Sequence, residues 1–330
     1  SRLALLDDGE AAVSFASGMA AITGLFSHCL GAGDHLILSD VCYAGVAEYA
    51  HEALPRMGVE VTSVDTADLA ALEAAFRPNT RLVHVETPAN PILKLTDIAA
   101  VAELAHAHGA RLSVDSTIAT PVATRPLALG ADYVCHSLTK YACGHGDALG
   151  GAVIGSAAEM AGLRKSVLIH HGAVLSPFSA YLILRGLETL DLRMAQHQEN
   201  ARRLATWLQS HSKVRRVNWP GLSSHPQHAL ATRQMANYSG LLSFSVTSDS
   251  LACARTLAEK LRTVSYAVSL GKTKSLCVFI PTEDILRSSF RLDAAGEAQY
   301  RDWAGEGVFR VSAGIERPED LIADFEQALG

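Results

Sequence analysis

The chain has little aromatic content, 6% of its 330 residues, and only six cysteines. Cys29, Cys42, Cys135, Cys143, Cys253 and Cys277 form no CxxC pair, so neither a zinc ribbon nor a dithiol redox motif is indicated. So few thiols in a chain of this length point to a reducing, cytoplasmic setting. Excess positive charge is also lacking: 28 basic against 34 acidic residues give a net charge of -6. The basic residues are dispersed and not interleaved with aromatics, which argues against a nucleic-acid partner. No apolar run reaches bilayer-spanning length, so no membrane partner is expected, and no complete targeting pattern is read. HExxH is absent, and neither His170-His171 nor the pair His106 and His108 has an acidic or thiol partner at ligand spacing. No metal is therefore expected. The 25 glycines and 11 prolines are scattered, which excludes a collagen-like or wholly disordered chain.

What remains is a chain with 48% apolar residues, enough for a large core. Short apolar segments alternate with helical ones. Strands are predicted at 35–38, 59–64, 82–86, 112–115, 132–136 and 151–154. Helices are predicted from Ser17 to Leu30, Asp68 to Phe76 and Asp97 to His108. This alternation predicts an α/β fold with a large, mainly parallel sheet covered on both faces. Beyond Pro177 the texture changes to a long helix-rich run, Tyr181 to Leu208. Strands then follow at 241–246 and 308–311, with a last helix over Pro318 to Leu329. Two units are expected: residues 1–200 as a large domain with a connecting helix, and 201–330 as a smaller C-terminal α/β domain.

Polar residues gather at the ends of the predicted parallel strands, where open α/β sheets place their sites. Glu86 ends one strand, Asp115 the next, and His136-Ser137-Leu138-Thr139-Lys140 a third. Lys140 reads either as an amine nucleophile toward an aldehyde or as a solvated lysine. Asp115 reads as the partner of a protonated pyridine nitrogen or as a turn cap. Gly18 and Met19 after Ser17 can offer amides to an anion, with Ser137 and Thr139 adding hydroxyls, or form an ordinary helix start. Tyr43 can stack on a flat ring or fill a gap. Asn90, between two prolines, can meet a ring hydroxyl or stabilise a turn. Arg310 can clamp a carboxylate or make a surface ion pair. Together these are the parts of a pyridoxal 5'-phosphate site.

Residues 113 to 147, SVDSTIATPVATRPLALGADYVCHSLTKYACGHGD, resemble the lysine-bearing signature of the Cys/Met-metabolism family of pyridoxal-phosphate enzymes. SFASGMAAI at 14–22, VETPANP at 85–91, LRGLETLDLRM at 184–194 and FRVSAGIERPEDLIADFEQAL at 309–329 agree with it. The resemblance implies fold type I, the aspartate-aminotransferase-like architecture. It makes Lys140 the Schiff-base lysine and Asp115 the partner of the ring nitrogen. Gly18, Met19, Ser137 and Thr139 fall at the phosphate, Asn90 at the ring hydroxyl and Thr117 among the cofactor contacts. Tyr43 becomes the stacking ring and an aid to leaving-group protonation. Arg310 and Ser269 fall at the substrate carboxylate. Self-association is implied, usually as a tetramer built as a dimer of dimers.

Two departures stand out. Family members carry an upstream arm whose tyrosine and arginine reach the neighbouring subunit's phosphate, and the resemblance supplies no counterpart for them here. After SLG at 269–271 the chain reads KTKSLCVFIPTEDILRSSFRLD, with Lys274 where a glutamate is usual. Val268 resembles the apolar residue of methionine gamma-lyases, whereas Gly45 resembles the synthases and sulfhydrylases. The activity expected is gamma-elimination of L-methionine. An O-acyl-homoserine sulfhydrylase or a cystathionine gamma-synthase or gamma-lyase is the alternative, and a non-catalytic scaffold the remote one.

Overall fold

The computed structural model describes residues 2–330. Its larger sheet has seven strands: β1 (Ala11–Phe15), β2 (His35–Ser39), β3 (Glu60–Val64), β4 (Thr80–Glu86), β5 (Arg111–Asp115), β6 (Tyr133–Ser137) and β7 (Gly151–Gly155). Their order is β1-β7-β6-β5-β4-β2-β3. The run from β6 to β3 is parallel, as predicted. At the other edge β7 is antiparallel to β6, and β1 to β7.

Side chains on successive residues point to opposite faces, so each buried strand feeds two cores. Leu36 and Leu38 pack with Phe15, Leu25 and Phe26, the last two from the helix Gly18–Cys29. Ile37, between them, packs with Val83, Leu112 and the helix Ile98–Ala107 through Ile98, Val101 and Ala105. Helices begin where a side chain satisfies first-turn amides: Asp68 accepts from Ala70 and Ala71, and Asp97 from Ala100.

The second sheet holds β8 (Val214–Asn218), β9 (Leu241–Val246), β10 (Ser265–Tyr266), β11 (Leu276–Pro281) and β12 (Gly307–Ser312), in the order β10-β11-β12-β9-β8. Phe244 and Phe309 stack at its centre, with Phe325 of the helix Pro318–Leu329 edge-on to Phe244. The helix Leu190–Ser210 joins the two sheets. Its first half packs Leu190 and Met194 with Leu93, Ile118 and Tyr141. Its second half gives Ala201, Leu204, Ala205 and Leu208 to the core of the second sheet. The expected division at residue 200 falls inside this helix.

The helix Pro177–Leu187 leaves Phe178, Tyr181 and Leu184 exposed at three-residue spacing, Phe178 by 71%. No helix among the described residues is long and apolar enough to cross a membrane.

Candidate active site

Parallel packing brings the ends of β4, β5 and β6 side by side, with Glu86 and Asp115 as register partners. Above them opens a cavity of about 580 Å³ that reaches across to the second sheet. All twelve site residues predicted from the sequence line it.

One end is shaped for an anion. Ser17 caps the helix Gly18–Cys29 by accepting from the Ala20 amide at 3.1 Å. The helix offers the Gly18 and Met19 amides no acceptor of its own, and both lie at the positive end of its dipole. Gly18 is required by close approach: a β-carbon there would stand 2.8 Å from Cβ of Ser137. Thr139 donates its hydroxyl to the Gly150 carbonyl at 3.3 Å and accepts from the Gly150 amide at 3.1 Å. Its single donor is therefore taken, and the Ser137 hydroxyl is the freer of the two. Thr117 accepts from the Ser137 amide at 2.7 Å and donates its own amide to Asp115 at 3.0 Å.

Asp115 is buried, and burial raises its pKa; the Thr117 hydrogen bonds and then the charge of His136 oppose the rise. His136 pairs at 3.0 Å with buried Asp7; burial lowers its pKa, but Asp7, helped by Asp115 and a Ser116 backbone hydrogen bond, raises it on balance. The Lys140 amine lies 3.3 Å from the Ser269 hydroxyl. Burial, then Arg310 and Lys272, hold its pKa below the usual lysine range. An amine so placed spends more time unprotonated and nucleophilic. Its loop is fixed from below by buried Arg193, which donates to the carbonyls of Tyr141 and Gly186, each at 2.7 Å.

Arg310 donates to the Asn90 side-chain oxygen at 3.1 Å and to the Ser269 carbonyl at 3.0 Å. Ser269 sits at φ 86°, a left-handed conformation costly for a residue with a β-carbon. Val268, 73% exposed, stands at the rim with Leu149. The unusual segment after SLG becomes β11 and the helix Thr282–Ser288, and Val278, Phe279, Ile280 and Pro281 form an apolar wall.

Glu86 was legible as a strand end, but the sequence assigned it no role. The structure puts it in the cavity beside Asp115, accepting from the Tyr43 and Asn90 amides. A carboxylate closing a buried strand just before Thr87-Pro88 is the one signal that marked it.

Residues 1–330 match the family described as Cys/Met metabolism PLP-dependent enzyme. The chain belongs to that family. It is 44% identical to a canavanine gamma-lyase of Pseudomonas canavaninivorans, over 99% of this chain and 80% of the relative. It is 42% identical to an L-methionine gamma-lyase of Porphyromonas gingivalis, over 99% and 81%. The crystal structure of cystathionine gamma-lyase from Lactobacillus plantarum complexed with L-serine matches with a TM-score of 0.91 and 36% identity, covering 99% of this chain and 83% of that one. This Cys/Met-metabolism enzyme is thus a pyridoxal-phosphate-dependent lyase of fold type I. The cavity fits that cofactor: it combines an amine of lowered basicity, a buried carboxylate and a notch between Gly18 and Ser137 that a β-carbon would fill.

Proposed function

We propose that the enzyme carries out gamma-elimination on L-methionine, giving methanethiol, 2-oxobutyrate and ammonia with uptake of one water. The carrying observation is the charge distribution of the cavity. Among the described residues its charged lining is Lys140, Arg310, Asp115 and Glu86, all where the cofactor and the amino-acid head group belong. The rest of the wall, Val268, Leu149 and Val278 to Pro281, offers no partner to a second ammonium or a guanidinium. A thioether methyl suits it.

In this reading Gly18, Met19 and Ser137 hold the phosphate, joined by Thr139 once its hydroxyl turns from the Gly150 carbonyl, Asn90 and Asp115 hold the ring hydroxyl and nitrogen, and Tyr43 the ring face, with Thr117 bracing Asp115. Bound pyridoxal phosphate supplies the electron sink that makes the amino acid's α-proton removable. Lys140 takes that proton and returns it elsewhere; its lowered basicity supports the role. Arg310, with Ser269, grips the substrate carboxylate, and Val268 contacts the distal end. Tyr43 protonates the departing sulfur. The exposed stripe on the helix Pro177–Leu187 supports self-association, as a homotetramer of paired dimers. We assign residues 1–200 to the cofactor domain and 201–330 to the smaller one. The six cysteines, all unpaired, support a cytoplasmic setting.

Gly45 favours a second reading, replacement at the gamma carbon of an O-acylhomoserine. A β-carbon there would approach the Tyr43 ring at 3.0 Å, so glycine leaves room beside it. The test supplies pyridoxal phosphate and L-methionine and follows methanethiol and 2-oxobutyrate together. Both are expected, and Lys140→Ala should lose both along with the cofactor's lysine-dependent visible band. A normal band without either product sinks the methionine assignment, and O-acetylhomoserine with sulfide is then the substrate pair to try.

A further inference from the structure

Glu86 carries an arrangement that none of these roles uses. One oxygen, Oε2, accepts from the Tyr43 amide at 2.6 Å; the other, Oε1, accepts from the Asn90 amide at 2.8 Å. The first donor is 43 residues away in the chain and the second only four. Asn90 in turn accepts from Arg310 at 3.1 Å. Two converging N–H groups match an ionised carboxylate, which has acceptors only; a glutamine would turn an N–H against one of them. A second buried carboxylate next to Asp115 is costly unless its oxygens are satisfied in this way.

We propose that Glu86 is a positioning residue that ties the Tyr43 loop to the Asn90–Arg310 clamp, so that the leaving-group side and the carboxylate side of a bound amino acid are held in one fixed relation. The inference rests on the roles given above to Tyr43, Asn90 and Arg310. The titratable groups facing Glu86 are Asp115 on β5, Cys42 and Tyr43 in the loop before the helix Ala44–Glu52, and Arg310 on β12. Burial, and then Asp115, push its pKa up to about 8. Glu86 therefore gains a proton below that pH and loses it above. A protonated carboxyl still accepts but more weakly than the anion, so the clamp is tightest on the alkaline side.

The direct test is amide hydrogen exchange in the cofactor-free protein. Pro88 and Pro91 have no amide, so a peptide over 88–91 reads Ala89 and Asn90 alone. In Glu86→Gln, exchange at Tyr43 or Asn90, whichever faces the new N–H, should quicken about 10- to 100-fold, the factor for one lost charge-assisted hydrogen bond, while the helix Ile98–Ala107 keeps its protection. In the loaded enzyme, α-proton exchange of L-norleucine into D2O should need roughly tenfold more amino acid for half-saturation. Glu86→Asp, which keeps the charge, should recover part of that loss. In the cofactor-free protein the ratio of Glu86→Gln to unmodified exchange rates at the Tyr43 and Asn90 amides should change through pH about 8. Unchanged amide exchange and unchanged half-saturation in Glu86→Gln overturn the proposal; if that variant does not fold, the same result in Glu86→Asp does so. Norleucine has no gamma leaving group, so normal exchange without methionine turnover would sink the methionine reading and leave Glu86 in place.

Discussion

At the floor of the cavity, polar side chains are tied to backbone groups both near and far along the chain. Asp115 holds the Thr117 amide, Glu86 those of Tyr43 and Asn90, and Arg310 the Ser269 carbonyl. The wall of Val268, Leu149 and β11 meets a ligand through shape and apolar surface. The floor tolerates little, because removing one partner leaves another buried polar group unsatisfied. The wall can change one side chain at a time, because an apolar contact has no fixed partner. Under the proposed assignments chemistry and substrate choice are separable, the first mainly on the large sheet's strand ends with Arg310 of β12, the second on the wall.

The sharpest way to break that separation is Asp115→Asn. If the floor carries the chemistry, kcat on L-methionine should fall roughly 100- to 10,000-fold while KM moves little. A fall within about threefold would mean that the ring nitrogen needs no carboxylate here. Arg310→Lys should act less severely. A point charge replaces a planar fork, so KM should rise about 10- to 100-fold with kcat nearly kept, as read from steady-state kinetics. Loss confined to kcat would move Arg310 from binding to chemistry. The smallest effect belongs to the wall. Val268→Glu should raise the ratio of kcat/KM for cystathionine over methionine by about tenfold, by giving a second ammonium a partner. If both substrates instead lost rate equally, the rim would be part of the catalytic frame and the contrast would fail.

The sequence made the floor legible because its residues sit at the ends of short, largely apolar strands spaced by helices. Thr80–Glu86 and Arg111–Asp115 differ from the predicted strands by one or two residues. The elements left unread are short or mixed. The helix Ala44–Glu52 alternates small and polar residues, β1 sits at the sheet edge with only Val13 and Phe15 buried, and β11 is an apolar run that ends in proline. The Glu86 clamp was invisible for a different reason: its oxygens are spoken for by amides that only the folded chain brings near. The exhausted donor of Thr139 is likewise a fact of packing, since nothing in its neighbourhood names Gly150 as the partner.

The helix Leu190–Ser210 has a thermodynamic consequence. It is one rigid rod, about 30 Å long at 1.5 Å per residue; its first half packs on Leu93, Ile118 and Tyr141 beyond the large sheet's strand ends and on Leu241 of β9, and its second half on the core of the second sheet. Melting either sheet strips the rod of half its burial, and a bare half-helix is not stable in water. The two sheets are therefore joined in a single cooperative unit. A cut at residue 200 would leave Ala201, Leu204, Ala205 and Leu208 on the second sheet they cover, but would part Leu190 and Met194 from Leu241 and Leu270.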